Sequence, residues 1–261
     1  MSYVEISLER LAIALVFIAT AIAISRAMRL DLAKDLAIGA ARAAGQLFLI
    51  GYVLVFIFRR DAPAWVIVAL SVMLAVASLT SARRIAYRPP ARVLLGYALI
   101  AITLGGATAL VPVFLFIVRP HPWFEPRYVI PLAGMMLSSA MNVVAQVFER
   151  LFSLARTEAP ALEQMLALGA SPEQAMRPHV RAAMRAAMIP TLNGLLTVGL
   201  VALPGMMTGQ ILSGTDPEQA VRYQIVIMYQ LVAVAAVSGA LAARFARKLL
   251  FTPYEQLRTF G

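Results

Sequence analysis

Apolar residues fill this chain in long uninterrupted runs. Seven runs stand out, near 8–26, 36–58, 63–79, 93–118, 129–154, 187–213 and 219–250. About 20 helical residues cross a hydrocarbon core of ~30 Å, so each run is long enough to span or nearly so. The runs are continuous rather than alternating, which favours helices over the strands of a barrel. The pattern predicts an all-α integral membrane protein of about seven transmembrane helices, in a single transmembrane domain over 1–261.

Polar interruptions inside these runs carry the functional signal. The stretch 199–228 combines Pro204, Gly205, Gly209, Gly214 and Pro217 with Thr208, Gln210, Arg222 and Gln224. Polar and helix-breaking groups at membrane depth must be satisfied by protein or by a water-filled cavity. In the fifth run Met135, Ser138, Asn142, Gln146 and Glu149 fall on one face at about 100° per residue. In the sixth, Asn193, Thr197, Pro204 and Thr208 share a face if the helix stays regular to Pro204. In the seventh, Gln224, Met228, Leu231, Ala235 and Ser238 do so. Two readings stand: these faces line a translocation path, or they are hydrogen-bonding glue between helices. Pro204 with Gly205 is the expected hinge of an outer gate that includes Met206, Met207, Thr208 and Gln210. The methionines are either soft metal ligands or adaptable packing, and packing is preferred, since thioethers suit Cu(I) better than iron. Arg42, with Gln46 one turn on, lies inside the second run. It either snorkels to the interface, pairs with Asp31 or Asp35, or has a conformational role.

Composition agrees with the pattern. The chain is 61% hydrophobic and 14% charged, with no cysteine, and its mean hydropathy is +0.80. Lack of cysteine excludes disulfides and thiolate metal sites. The net charge of +10 would fit nucleic acid, but its distribution fits topology better. With the N-terminus outside and seven spans, the inside segments hold Arg26, Arg29, Lys34, Arg42, Arg83, Arg84, Arg88, Arg92, Arg150, Arg156, Arg177, Arg181, Arg185, Arg244, Arg247, Lys248 and Arg258. That is 17 of the 23 Lys and Arg. Arg10, Arg59, Arg60, Arg119, Arg127 and Arg222 remain outside. The bias orients the chain N-out and C-in and leaves no case for nucleic-acid binding. Glu5, Glu9 and Arg10 precede the first run, so it reads as a retained span rather than a cleaved signal.

One inside segment, 157–186, differs in kind. Leu162, Met165, Leu166 and Gly169 follow the i, i+3, i+4, i+7 spacing of an apolar helix face. Gly169 suits a helix stop. Ser171-Pro172-Glu173-Gln174 restarts a helix with Ser171 as N-cap and Gln174 reaching back. This predicts a short amphipathic helix, a glycine turn and a second helix. It lies on lipid or docks a soluble partner.

Glu163 followed six residues later by Gly169 resembles the E-A-A-x-x-x-G coupling loop of ABC-transporter permeases, with Gln164 and Met165 in place of the alanines. The stretches PLAGMMLSSAMN (131–142), LALGAS (166–171) and LPGMMTGQILSGTDPEQAVRYQIVIM (203–228), with ARAAGQL (41–47), resemble one family in particular. It is the FetB-type permease of bacterial iron-export ABC transporters, related to plant aluminium-sensitivity membrane proteins. The resemblance implies a multi-pass permease of the bacterial cytoplasmic membrane, working as a homodimer. It implies export of iron or a related metal or solute, driven by a cognate ABC ATPase subunit that holds ATP and Mg. Glu163, Leu166, Leu168, Gly169, Ala170 and Ser171 would then be the ATPase-coupling residues. The residues agree on one point: the two lysines precede Asp35 and Leu249, so neither forms a phosphate-binding loop. The chain is therefore expected to be no enzyme and to hold no cofactor of its own. His121 and His179 fall in opposite loops, and no iron site is expected from them. A secondary transporter, with Glu149 as coupling carboxylate, and a membrane scaffold are the alternatives.

Overall fold

A computed structural model of the protein describes residues 7–60, 62–83, 85 and 89–258. Glu5, Arg84 and Arg88 of the charge argument lie outside these residues. The described residues form helices and no strand, apart from two isolated bridges.

The chain divides into two compact units. The first runs to Ala62 and includes Leu212–Gly214. It contains α1 (Leu8–Ile13), α2 (Leu15–Ala27) and α3 (Ala33–Arg60). Helices α2 and α3 pack on each other. Buried Ser25 holds their turn, where Leu32 donates its N–H to Ser25 Oγ at 3.1 Å. Arg29 and Asp31 take positive φ there.

The second unit holds α4 (Pro63–Arg83), α5 (Ala91–Pro112) with a π-helical extension Val113–Ile117, α6 (Pro126–Thr157), α7 (Ala159–Ala167), α8 (Pro172–Thr197), α9 (Gly205–Leu212) except its last residue, and α10 (Pro217–Leu250). Helices α6 and α10 are its centre and pack on each other and on α5 and α8. Their inward faces are closed. Met136, Ala140, Val144, Val147, Phe148 and Leu151 of α6 are fully buried, as are Val234, Ala235, Ala242 and Ala246 of α10.

Small residues set the helix spacing, as expected where lipid gives no hydrophobic drive for helices to associate. A Cβ placed on Gly105 of α5 would stand 1.8 Å from Ser238 Oγ. One on Gly239 would meet Met184 Sδ at 2.8 Å and Val143 Cγ1 at 3.0 Å, so α6, α8 and α10 converge there. Ser81 Oγ of α4 donates to the Met141 carbonyl of α6 at 3.0 Å.

Among the described residues six helical stretches are long and apolar enough to cross a membrane: Glu9–Ala27, Ala33–Arg60, Pro63–Arg83, Ala91–Ile117, Pro126–Thr157 and Pro217–Leu250. They match six of the seven expected runs within a few residues.

The remaining run, 187–213, is not one helix. Helix α8 starts early, at Pro172, and ends at Thr197, and residues 198–204 are non-helical before α9. Gly199 takes φ +83°, a left-handed backbone open to glycine at little steric cost. Its N–H turns to the Ala202 carbonyl at 3.0 Å, while Leu200 and Val201 close on the Thr197 carbonyl. Pro204 lacks an N–H and disfavours helix at the residue before it. The break therefore spans both residues and starts before Pro204. The face expected to run from Asn193 through Pro204 to Thr208 is divided between two helices.

Candidate functional site

The fifth-run stripe falls on one open side of α6. Met135 and Asn142 are half-buried, while Ser138, Gln146 and Glu149 are exposed. The opposite side of α6 is the core described above. A hydroxyl, an amide and a carboxylate thus lie uncovered, and a second amide half-covered, along a helix 32 residues long. Bare lipid does not satisfy such groups. Among the described residues Glu149 has no ion-pair partner, so neither Arg150 nor a loop arginine neutralises it.

The broken segment contributes a second set. Asn193 is exposed and Thr197 half-buried, with Thr197 Oγ1 donating to the Asn193 carbonyl at 2.8 Å. Thr208 donates from both its N–H and its Oγ1 to the Pro204 carbonyl, at 3.0 and 3.1 Å. Pro204 and Thr208 are therefore joined as the first turn of α9. Gly205 is exposed, and Met206, Met207 and Gln210 are half-buried, with Met206 packed on the core. Leu200 is 89% exposed and Val201 82%. Apolar side chains on irregular backbone are thus presented outward at the break.

Helix α10 behaves differently. Gln224 and Met228 are buried and Ser238 is fully enclosed. The expected path face of the seventh run is packed within the unit, next to Gly105 of α5 and Gly194 of α8. A polar residue missing from the sequence reading is Gln230, buried, whose Nε2 donates to the Ala109 carbonyl at 3.1 Å. Its signal was present as a second amide within an uncharged run. Arg42 and Gln46 are exposed on α3 in the first unit, and among the described residues no carboxylate lies within ion-pair distance of Arg42. Among the described residues no three His, Asp or Glu side chains gather as a metal site.

The segment between α6 and α8 is built as its residues predict. Helix α7 closes with the Ala170 N–H on the Met165 carbonyl at 3.0 Å and the Gly169 N–H on Leu166 at 2.9 Å. That double closure, with Gly169 at φ +86°, is a Schellman stop. Two residues on, Gln174 N–H donates to Ser171 Oγ at 3.3 Å and Ser171 N–H to Gln174 Oε1 at 2.8 Å. The capping box opens α8 with Pro172 in its first turn. Leu162 is fully buried and Leu166 packs on the core, fixing α7 to the bundle. Leu168, the C-cap residue of α7 inside this stop, is 88% exposed. Glu163 is exposed as well. Glu163, Leu166 and Ala170 share a cavity of about 420 Å³ with residues 254–257, a chain end that the sequence reading had left unassigned.

The family model described as Uncharacterised protein family (UPF0014) matches residues 8–251. That stretch takes in every helix described above. The chain belongs to this family. Among its UPF0014 relatives, the "Probable iron export permease protein FetB" of Escherichia coli is 35% identical over 97% of this chain and 95% of its own length. The "UPF0014 membrane protein YjkA" of Bacillus subtilis is 35% identical over 99% of both chains. "Protein ALUMINUM SENSITIVE 3" of Arabidopsis thaliana is 34% identical over 95% of this chain and 89% of its own. No solved structure matches this UPF0014 chain. The relatives bear out the expected kinship with FetB-type and plant aluminium-sensitivity proteins, and the chain is a membrane protein.

Proposed function

We propose that this chain is the membrane permease subunit of an ABC transporter. It works as a homodimer with a separately encoded ATPase and exports iron or a related metal or solute. The observation that carries the reading is Leu168. A large apolar side chain stands almost bare at the tip of a turn that two caps hold rigid. Rigid presentation of one apolar knob suits insertion into a groove of a soluble partner, because little ordering entropy remains to be lost on binding. A helix lying on lipid would offer a whole apolar face, whereas Leu162 and Leu166 of α7 turn inward. The name of the Escherichia coli relative, "Probable iron export permease protein FetB", supports iron as the solute class.

On this reading the bulk of the arginines lies on the ATPase side, in a bacterial cytoplasmic membrane with N-out and C-in topology. Seven crossings then require α8 and α9 together to make one discontinuous span. Broken spans are tolerated where they line a cavity. The open stripe of α6 and the break at 198–204 form the path, with Ser138, Asn142, Gln146 and Glu149 meeting their counterparts from the second copy. Arg42 and Gln46 move with the spans as the ATPase closes. The hinge of the gate is the whole segment from Gly199 to Pro204.

Co-purification tests the assembly. Tagged permease, co-expressed with its cognate ATPase and extracted in mild detergent, is expected to elute as two permeases with two ATPases by mass. Elution of the permease free of ATPase in every detergent that keeps it folded would contradict the proposal.

A further inference from the structure

A cleft of about 710 Å³ opens at the C-terminal end of α10. Arg244, Arg247, Lys248 and Arg258 line it, against a single carboxylate, Glu255. Its apolar wall includes Leu241, Phe245 and Phe251.

The chain path builds this cleft. Beyond α10, residues 251–258 fold back in a tight turn. Thr252 N–H donates to the Gln256 carbonyl at 2.8 Å, and Arg258 N–H to the Leu250 carbonyl at 2.7 Å. Phe251 and Leu257 pair as an antiparallel bridge. The turn brings Arg258 back beside the last turns of α10. Arg247 is engaged by Glu173 of α8 at 3.0 Å. Arg244, Lys248 and Arg258 have no carboxylate within ion-pair distance among the described residues. Arg244 and Lys248 sit one turn apart, where like charges repel. Lys248 Nζ lies 6.0 Å from the ring centre of Tyr97, which stacks on Phe245 at 4.6 Å. The cations thus stand over an aromatic and aliphatic base.

Depth decides what such a cleft meets. The 21 residues 223–243 carry no charge and extend roughly 32 Å as helix, close to the ~30 Å of a hydrocarbon core. Arg244 is the first charge beyond that stretch and falls at headgroup level of one leaflet. Basic pockets between membrane helices at this level suit anionic headgroups. We propose that this cleft binds an anionic membrane lipid. Its phosphate sits among Arg244, Lys248 and Arg258, and its acyl chain lies against Leu241 and Phe245. A free phosphate would use the same cations but not the apolar wall.

Native mass spectrometry of the full-length chain in detergent tests this. The probes are phosphatidylglycerol and phosphatidylcholine of equal acyl length, and inorganic phosphate. The wild type is expected to retain one phosphatidylglycerol at a concentration about tenfold below that needed for phosphatidylcholine. Arg244→Ala with Lys248→Ala should remove that preference, and Arg244→Lys with Lys248→Arg should keep it. A photoactivatable phosphatidylglycerol on the wild type should cross-link within 241–258, a readout that does not depend on a variant folding. Equal retention of both lipids by the wild type, or cross-links confined to other helices, would overturn the proposal. So would complete displacement by millimolar inorganic phosphate, which would make the ligand a free phosphate instead.

Discussion

Leu168→Asp is expected to uncouple the permease from its ATPase while leaving the permease folded. Leu168 is 88% exposed, and the α7 stop and the α8 capping box use backbone groups and the Ser171 and Gln174 side chains, not the leucine side chain. Stability of the isolated chain should therefore change by less than about 0.5 kcal/mol, as for other exposed positions. Docking is another matter. Burying a leucine contributes about 1.5–3 kcal/mol, so affinity for the ATPase should fall about 10- to 100-fold. The desolvation cost of a carboxylate in the groove adds to that loss. Leu168→Met keeps volume and apolarity and should retain most of the affinity. The check is permease-stimulated ATP hydrolysis against ATPase concentration, with the unfolding temperature of each permease measured alongside. Wild-type stimulation by the aspartate variant would remove Leu168 from the interface.

The second large effect belongs to the bundle. Gly105→Ala should destabilise the second unit by about 1–3 kcal/mol, the usual range for overpacking a filled site. The new Cβ would meet Ser238 Oγ at 1.8 Å, Ser238 Cβ at 2.9 Å and the Ser238 backbone N at 3.1 Å. Rotating the hydroxyl relieves only the first contact. Ser238→Gly removes the first two, and it sacrifices no hydrogen bond, since Ser238 Oγ has no partner among the described residues. A glycine within a helix itself costs roughly 1 kcal/mol. The double variant should nevertheless lie well above the sum of the singles, with a coupling of about 1–2 kcal/mol. Thermal unfolding of the four proteins in one detergent measures it. Simple additivity would mean that Gly105 of α5 and Ser238 of α10 do not approach as closely as described.

Much of this architecture was legible in the sequence because its causes are local. The capping box at Ser171 depends on side chains reaching N–H groups three residues away, and it forms. Six spans follow from apolar run length alone. The sixth run, 187–213, departs from its expected single helix because two breakers compete five residues apart. Pro204 is the stronger breaker by composition, yet Gly199 lets the chain turn first, and Pro204 starts the next helix instead. The path faces show a different limit. A stripe of polar residues marks which side of a helix is special, but not what that side meets. On α6 the stripe is open. On α10 the equivalent stripe is packed, because Gly105 and Gly194 on neighbouring helices let them come close. Such complementarity between distant residues leaves no periodic mark. The fold-back of residues 251–258 was silent for the same reason: it lacks apolar periodicity and lies past the last span.

In the proposed function, this chain turns ATP hydrolysis by a partner into movement of iron or a related solute. Inside-out vesicles carrying the permease and its ATPase should accumulate iron when ATP is added. That accumulation should vanish with ATPase alone, with Leu168→Asp, or with a non-hydrolysable nucleotide. An ATPase whose hydrolysis rate is the same with and without the permease, in vesicles that accumulate no iron, would contradict the account.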